Sequence, residues 1–179
     1  MEKNVNQFVI YPHDGNNQNV SNLTPQDKLI YLAIRRYMNK DNMEAFPSYA
    51  RLTQDIGASS KTLKKCIDNL VSEGYITTFK RGRSIVYKFN NKKQFEPFSY
   101  EFLDNKNLSF TEKSYIVASQ QHMFKDKYSE EGIIVYQNKE LAKLINMSES
   151  TISRCNHSLK EKNYLGDRPI NSKQLELKT

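Results

Sequence analysis

Residues 46–76 read FPSYARLTQDIGASSKTLKKCIDNLVSEGYI and residues 135–165 read VYQNKELAKLINMSESTISRCNHSLKEKNYL, and the two align without a gap over 31 positions at an offset of 89. Identities fall at Leu52/Leu141, Ile56/Ile145, Ser59/Ser148, Thr62/Thr151, Cys66/Cys155, Leu70/Leu159 and Tyr75/Tyr164. Most of these are apolar positions at helical spacing or serines suited to starting a helix, so the similarity follows structure and not bulk composition. Working outward, Leu23–Ala33 (LTPQDKLIYLA) matches Leu108–Ala118 (LSFTEKSYIVA) at an offset of 85. The four-residue difference between the offsets falls between the first and second helices of each unit, where a surface loop accepts insertion at little entropic cost.

Each unit predicts three helices. In the first, Thr24 is an N-cap with Pro25 at N1 and Asp27 at N3, ahead of Leu29, Ile30, Leu32, Ala33, Tyr37 and Met38 at helical spacing. The second repeats the device, with Ser109 and Glu112 as a capping box before Tyr115, Ile116 and Ala118. A short second helix runs from about Ser48 to Ile56 and stops at Gly57; its counterpart runs from about Asn138 to Ile145 and stops at Asn146, residue types that accept a left-handed turn. The third helix starts at Ser59 or Ser148. Its apolar stripe in unit one is Leu63, Cys66, Ile67, Leu70 and Val71. Unit two keeps Ile152, Cys155 and Leu159 but has Asn156 and Lys160 for Ile67 and Val71, so its third helix is expected to be less deeply buried or covered by another part of the chain. Cys66 and Cys155 lie on these apolar faces and read as small core residues.

Two helices joined by a tight turn, the second serine-capped and polar on its outer face, make the helix-turn-helix arrangement. Such a helix fits the major groove, and its outward residues reach base edges and phosphates. In unit one these are Ser60, Lys61, Lys64 and Lys65; in unit two they are Glu149, Ser150, Ser153 and Arg154, with His157 beside them. Arg154 suits bidentate contact to a guanine and the unit-one lysines suit phosphates. The bland alternative is a solvated helix face. After the third helix, unit one has β-branched and aromatic arms at Ile76–Phe79 and Ile85–Phe89 with Gly82 between them, a β-hairpin placed as a wing. Its tip residues Lys80, Arg81 and Arg83 are candidates for backbone or minor-groove contact, or for a tip kept basic for solubility. Unit two is expected to have only a reduced wing, because Pro169 discourages a central strand and few residues remain to return one.

Charge supports the polyanion reading. The chain of 179 residues carries a net +7. Residues 59–93 hold nine cations against two anions, so the excess sits on the third helix and wing of unit one. No apolar run approaches the roughly 20 residues of a membrane span, and the amino terminus shows no secretory signal, so a cytoplasmic location is expected. Two cysteines and three scattered histidines form no metal-ligand cluster, and neither a phosphate-cradling glycine loop nor a paired nucleophile and base is present. No cofactor, no metal and no catalytic activity are expected. The linker, residues 91–107, carries Phe95, Phe98, Tyr100, Phe102 and Leu103, and reads as packed between the units or, alternatively, as stacking on bases. Residues 1–20 form an N-terminal arm whose strand-like Gln7–Tyr11 could lie on DNA, add a strand, or be disordered.

The stretch PSYARLTQDIGASSKTLKKCIDNLVSEGYI with its KRGR wing, the linker FEPFSYEFLDNKNLSFTEK and the second unit together resemble tandem winged-helix DNA-binding proteins of plasmids and phages, the replication initiators among them. The resemblance covers about residues 21–165. It implies two winged helices reading successive major grooves of a repeated or inverted site, with replication or transcription proteins as partners. The expected fold is mainly α: two tandem winged helix-turn-helix units at 21–90 and 108–179, the first with a hairpin wing. The expected function is sequence-specific binding of double-stranded DNA, for replication initiation or transcription regulation. An interaction module built on winged helices is the alternative. Two readers on one chain span half-sites about 34 Å apart without dimerising, although a homodimer is compatible.

Overall fold

The computed structural model describes residues 8–13, 22–90, 94–122, 124–125, 132–134, 137–166 and 175–177. In chain order these form β1 (Phe8–His13), α1 (Pro25–Arg35), β2 (Glu44–Ala45), α2 (Tyr49–Ile56), α3 (Ser60–Ser72), β3 (Ile76–Arg81), β4 (Ser84–Phe89), β5 (Gln94–Ser99), α4 (Tyr100–Asp104), α5 (Phe110–Ser119), a 3₁₀ turn (Gln120–His122), β6 (Phe124–Lys125), β7 (Gly132–Ile134), α6 (Asn138–Ile145), α7 (Glu149–Glu161), β8 (Leu165–Gly166) and β9 (Leu175–Leu177). The described part is thus mainly helical, with small antiparallel sheets.

The helix starts follow the caps in the sequence. Thr24 and Asp27 close a capping box on α1, with Pro25 at N1. Ser109 and Glu112 do the same on α5. Ser48, Ser59 and Ser148 each accept from the third backbone N–H of the helix they open, satisfying a donor that has no intrahelical partner. α2 ends at Gly57 (φ 73°) and α6 at Asn146 (φ 55°), both left-handed. Three residues then join α2 to α3 and α6 to α7.

α1, α2 and α3 enclose the first core, in which Leu29, Leu32, Leu52, Leu63 and Leu70 are fully buried. Each such side chain contributes about 1.5–3 kcal/mol relative to exposure. The sheet β2-β4-β3 closes this core, Ile76, Tyr87 and Phe89 facing inward. Tyr31 of α1 meets Phe89 edge-on at 5.2 Å. α5, α6 and α7 enclose a second core around Tyr115, Leu141, Ile152 and Leu159. α1 and α5 pack on each other. β1 pairs antiparallel with β5, so the strand-like start of the chain is an added strand, and Val9 and Phe98 enter the first core. Phe102 of α4 touches both cores, placing the aromatic linker in the packing. The order of elements repeats: α5, α6, α7, β8 and β9 follow the order α1, α2, α3, β3 and β4, and the strand order β7-β9-β8 mirrors β2-β4-β3.

After α7 a short strand pair is present, in keeping with a wing of reduced length: β8 and β9 pair through Leu165↔Leu177 and Gly166↔Glu176. Pro169 falls between them in the sequence and lies outside the described residues. Two other expectations are corrected. First, α7 is as deeply buried as α3: Ile152, Cys155, Asn156 and Leu159 are buried at the positions of Leu63, Cys66, Ile67 and Leu70. Asn156 is accommodated because the Tyr115 hydroxyl donates to its Oδ1 at 2.7 Å and its Nδ2 donates to Asn138 Oδ1 at 3.2 Å. Finally, Val71 is 38% exposed and not part of the core stripe. It lies about 80° round the helix from Leu63, at the edge of the buried face. Glu130, Glu131, Lys92, Lys93 and most of the N-terminal arm and C-terminal tail lie outside the described residues.

Candidate nucleic-acid interface

The turn Gly57–Ser59 sets α3 across α2, and the buried stripe of α3 leaves its other side outward. Ser60, Lys61, Lys64 and Lys65 are all exposed there. Together with Asp68 and Tyr49, the first residue of α2, they line one shallow surface concavity. Lys64 Nζ is 2.6 Å from Asp68 Oδ2, a solvated i,i+4 pair that a phosphate can displace at little cost. Tyr49 was not among the sequence candidates. It is half-buried and packs against the first core.

On α7, Glu149, Ser150, Ser153 and Arg154 occupy the equivalent outward positions, and all are exposed. Arg154 folds back along its own helix, Nε donating to the Ser150 carbonyl and Nη2 to Thr151 Oγ1, both at 3.3 Å. These contacts are long, and the guanidinium is available to a stronger acceptor. His157 pairs with Glu161 at 3.4 Å.

The wing is a two-residue hairpin. Arg81 pairs with Ser84, and Gly82 supplies a positive φ of 61° at the first loop position. A positive φ there and not at Arg83 matches the primed turns whose twist suits paired strands. Successive strand residues point to opposite faces, and this separates the wing cations. Lys80 shares the face of Ile76 and Tyr87, which is the core side, while Arg81 shares the outer face with Phe79. On that outer face Arg81 Nη1 donates to Glu44 Oε2 at 3.0 Å and Nη2 to Oε1 at 3.3 Å, a forked pair with a carboxylate only 10% exposed. The guanidinium also lies 5.5 Å from the ring centres of both Phe46 and Phe79. All three expected wing residues are exposed; Arg81, with 57% of its side chain exposed, is engaged by Glu44 and the two rings, whereas Lys80 and Arg83 show no such arrangement.

These elements reproduce a known arrangement over part of their length. Residues 21–76 match the family described as a helix-turn-helix domain. The match spans α1, β2, α2, α3 and the first residue of β3. The chain thus carries a helix-turn-helix domain, with α2 and α3 as its two motif helices. The wing beyond Ile76 and the whole second half lie outside the matched region. No curated protein matches the chain.

Burial pushes the Cys66 thiol far up and the Cys155 thiol up to about 11, so both are protonated at neutral pH and act as core residues. Burial also opposes the charge on Glu112, but hydrogen bonds from Lys162, Ser158 and Ser109 prevail and hold its carboxyl down at about 2. That carboxylate caps α5 and ties it to the end of α7, with Lys162 Nζ at 2.8 Å from both oxygens. In the helix-turn-helix domain Asp27 plays the same part toward Asn69 of α3, at 2.6 Å. Each third helix is thereby fixed in angle to the first helix of its unit. No helix of the described residues is long and apolar enough to cross a membrane.

Proposed function

We propose that the protein binds double-stranded DNA sequence-specifically, as two tandem winged-helix readers on one chain without catalytic activity of its own. The observation that carries this reading is the helix-turn-helix domain with Ser60, Lys61, Lys64 and Lys65 exposed together on the outer face of α3. α3 enters a major groove, where its lysines meet phosphates and Ser60 reaches a base edge. Lys80 and Arg83 of the hairpin contact the backbone beside it. α7 reads a second groove through Ser150, Ser153 and Arg154, supported by the shared element order and by serine capping in both units. A role in replication initiation or transcription regulation in the cytoplasm, on plasmid or phage DNA, fits such a reader and the resemblance in sequence.

Selection from a random duplex pool at physiological salt tests this. Two spaced half-sites are the expected outcome, and no enrichment above bulk affinity overturns the reading. A second reading, a protein-interaction module, is favoured by one observation: Phe46, Phe79 and Ile85 leave 37–44% of their surface exposed on and beside the wing. A DNA affinity that barely changes with salt would support it, since neutralising several phosphates releases counterions.

A further inference from the structure

The burial of α1 and α5 bears on how the two readers are oriented. Asp27 through Ile34 are buried without interruption, and so are Glu112 through Ser119. These are the same eight positions of the repeat, at the offset of 85. Eight successive residues make more than two turns, so every face of each helix is covered. The inner face of α1 is filled by α2 and α3, and that of α5 by α6 and α7. What covers their outer faces is in large part each other, for α1 and α5 pack together and Val117 of α5 is buried in the first core. β1 completes the cover on α1. An arrangement in which one unit follows the other head to tail would set the outer face of one helix against the inner face of the next, and that inner face is already occupied. Outer face on outer face, the same element from both sides, is the isologous geometry of a two-fold axis.

We propose that the two units are related by an approximate two-fold axis through the α1–α5 seam, so that the preferred DNA is an inverted pair of unlike half-sites. The inference rests on the reading that both third helices contact DNA. Inversion follows because a two-fold relation between readers is mirrored in the site they read. The half-sites are unlike because α3 presents Ser60, Lys61, Lys64 and Lys65 where α7 presents Glu149, Ser150, Ser153 and Arg154.

Unlike half-sites conceal their relative orientation, so the test makes the readers alike. Glu149→Ser, Ser150→Lys, Ser153→Lys and Arg154→Lys together give α7 the outward residues of α3. All four positions are exposed and the Ser148 cap is kept. The reciprocal chain, with Ser60→Glu, Lys61→Ser, Lys64→Ser and Lys65→Arg, serves if the first loses its cooperative melt. Duplex selection is run on the natural and altered chains. The altered chain is expected to enrich a palindrome, and reversing one of its half-sites to lower affinity by tenfold or more. A direct repeat overturns the two-fold arrangement while leaving two DNA readers in place. A single half-site from every chain overturns it as well, because α7 then reads nothing. Failure of the natural chain to enrich any sequence instead overturns the DNA-binding reading itself.

Discussion

Lys80 and Arg81 are neighbours in the chain and face opposite sides of the wing, and this divides their roles. Arg81 is held by Glu44 and by two aromatic rings, so it orients the hairpin, and Lys80 and Arg83 are the wing residues proposed to meet phosphates. Replacing Lys80 and Arg83 together by Ala is expected to flatten the dependence of log affinity on log salt by about 2. Arg81→Ala should leave that slope within about half a unit and lower the denaturation midpoint instead. Salt titrations of binding to one duplex check both, and an Arg81→Ala slope change as large as that of its neighbours would make it a phosphate contact. Arg154→Ala is expected to relax preference at one base position, at a cost of about 1–3 kcal/mol. Affinities for single-base variants of a selected site measure this, and a uniform loss over all of them would reassign Arg154 to the backbone. The outward residues of both third helices could be found in the sequence because they follow from spacing once the stripe is known. The pairing of Arg81 with Glu44 was not legible there, because the partner lies 37 residues away and nothing local announces such a pair.

The third helices show how one element tolerates a polar residue in its core face. Asn156 stands where α3 has Ile67, and it is buried because Tyr115 stands opposite to meet it. Asn156→Ala should cost about 1–3 kcal/mol, since it leaves the Tyr115 hydroxyl buried without that acceptor. Adding Tyr115→Phe should recover much of the loss, because removing both partners removes the need for either. Urea denaturation of the two single variants and the double variant measures the coupling; strict additivity would mean that the pair does not act as a unit. Helix ends were legible in the sequence to within a residue or two, for caps are local chemistry: Thr24, Ser59, Ser109, Gly57 and Asn146 each act on their own turn. The short strands were less so. β2 and β8 have two residues each, and β1 finds its partner β5 some 80 residues on, so pairing and not propensity decides them.

At the scale of the whole molecule, the seam between α1 and α5 resists charge. Burial pulls the Lys28 ammonium down to about 8. Burial, and then the charge of Lys28, lower His122 just beyond α5. An unfolded lysine keeps its proton to about pH 10.4. Between about pH 8 and 10 the unfolded chain therefore binds more protons than the folded one, and this group makes stability rise with pH across that window. Lys28→Met should remove the rise and stabilise the protein at pH 7 by about 1–3 kcal/mol. Urea midpoints at pH 7, 8 and 9.5 test it, and an unchanged pH profile would clear Lys28 of that role. The all-round burial of both helices is not legible in the sequence, since Asp27, Lys28, Glu112 and Lys113 are charged types that seldom lie inside, yet all four are buried. A helix with no free side also has no natural place to be cut. Dividing the chain near residue 107 would strip the outer faces of both α1 and α5, so neither fragment is expected to behave as a well-folded, soluble piece, whereas their co-expression should restore the pair.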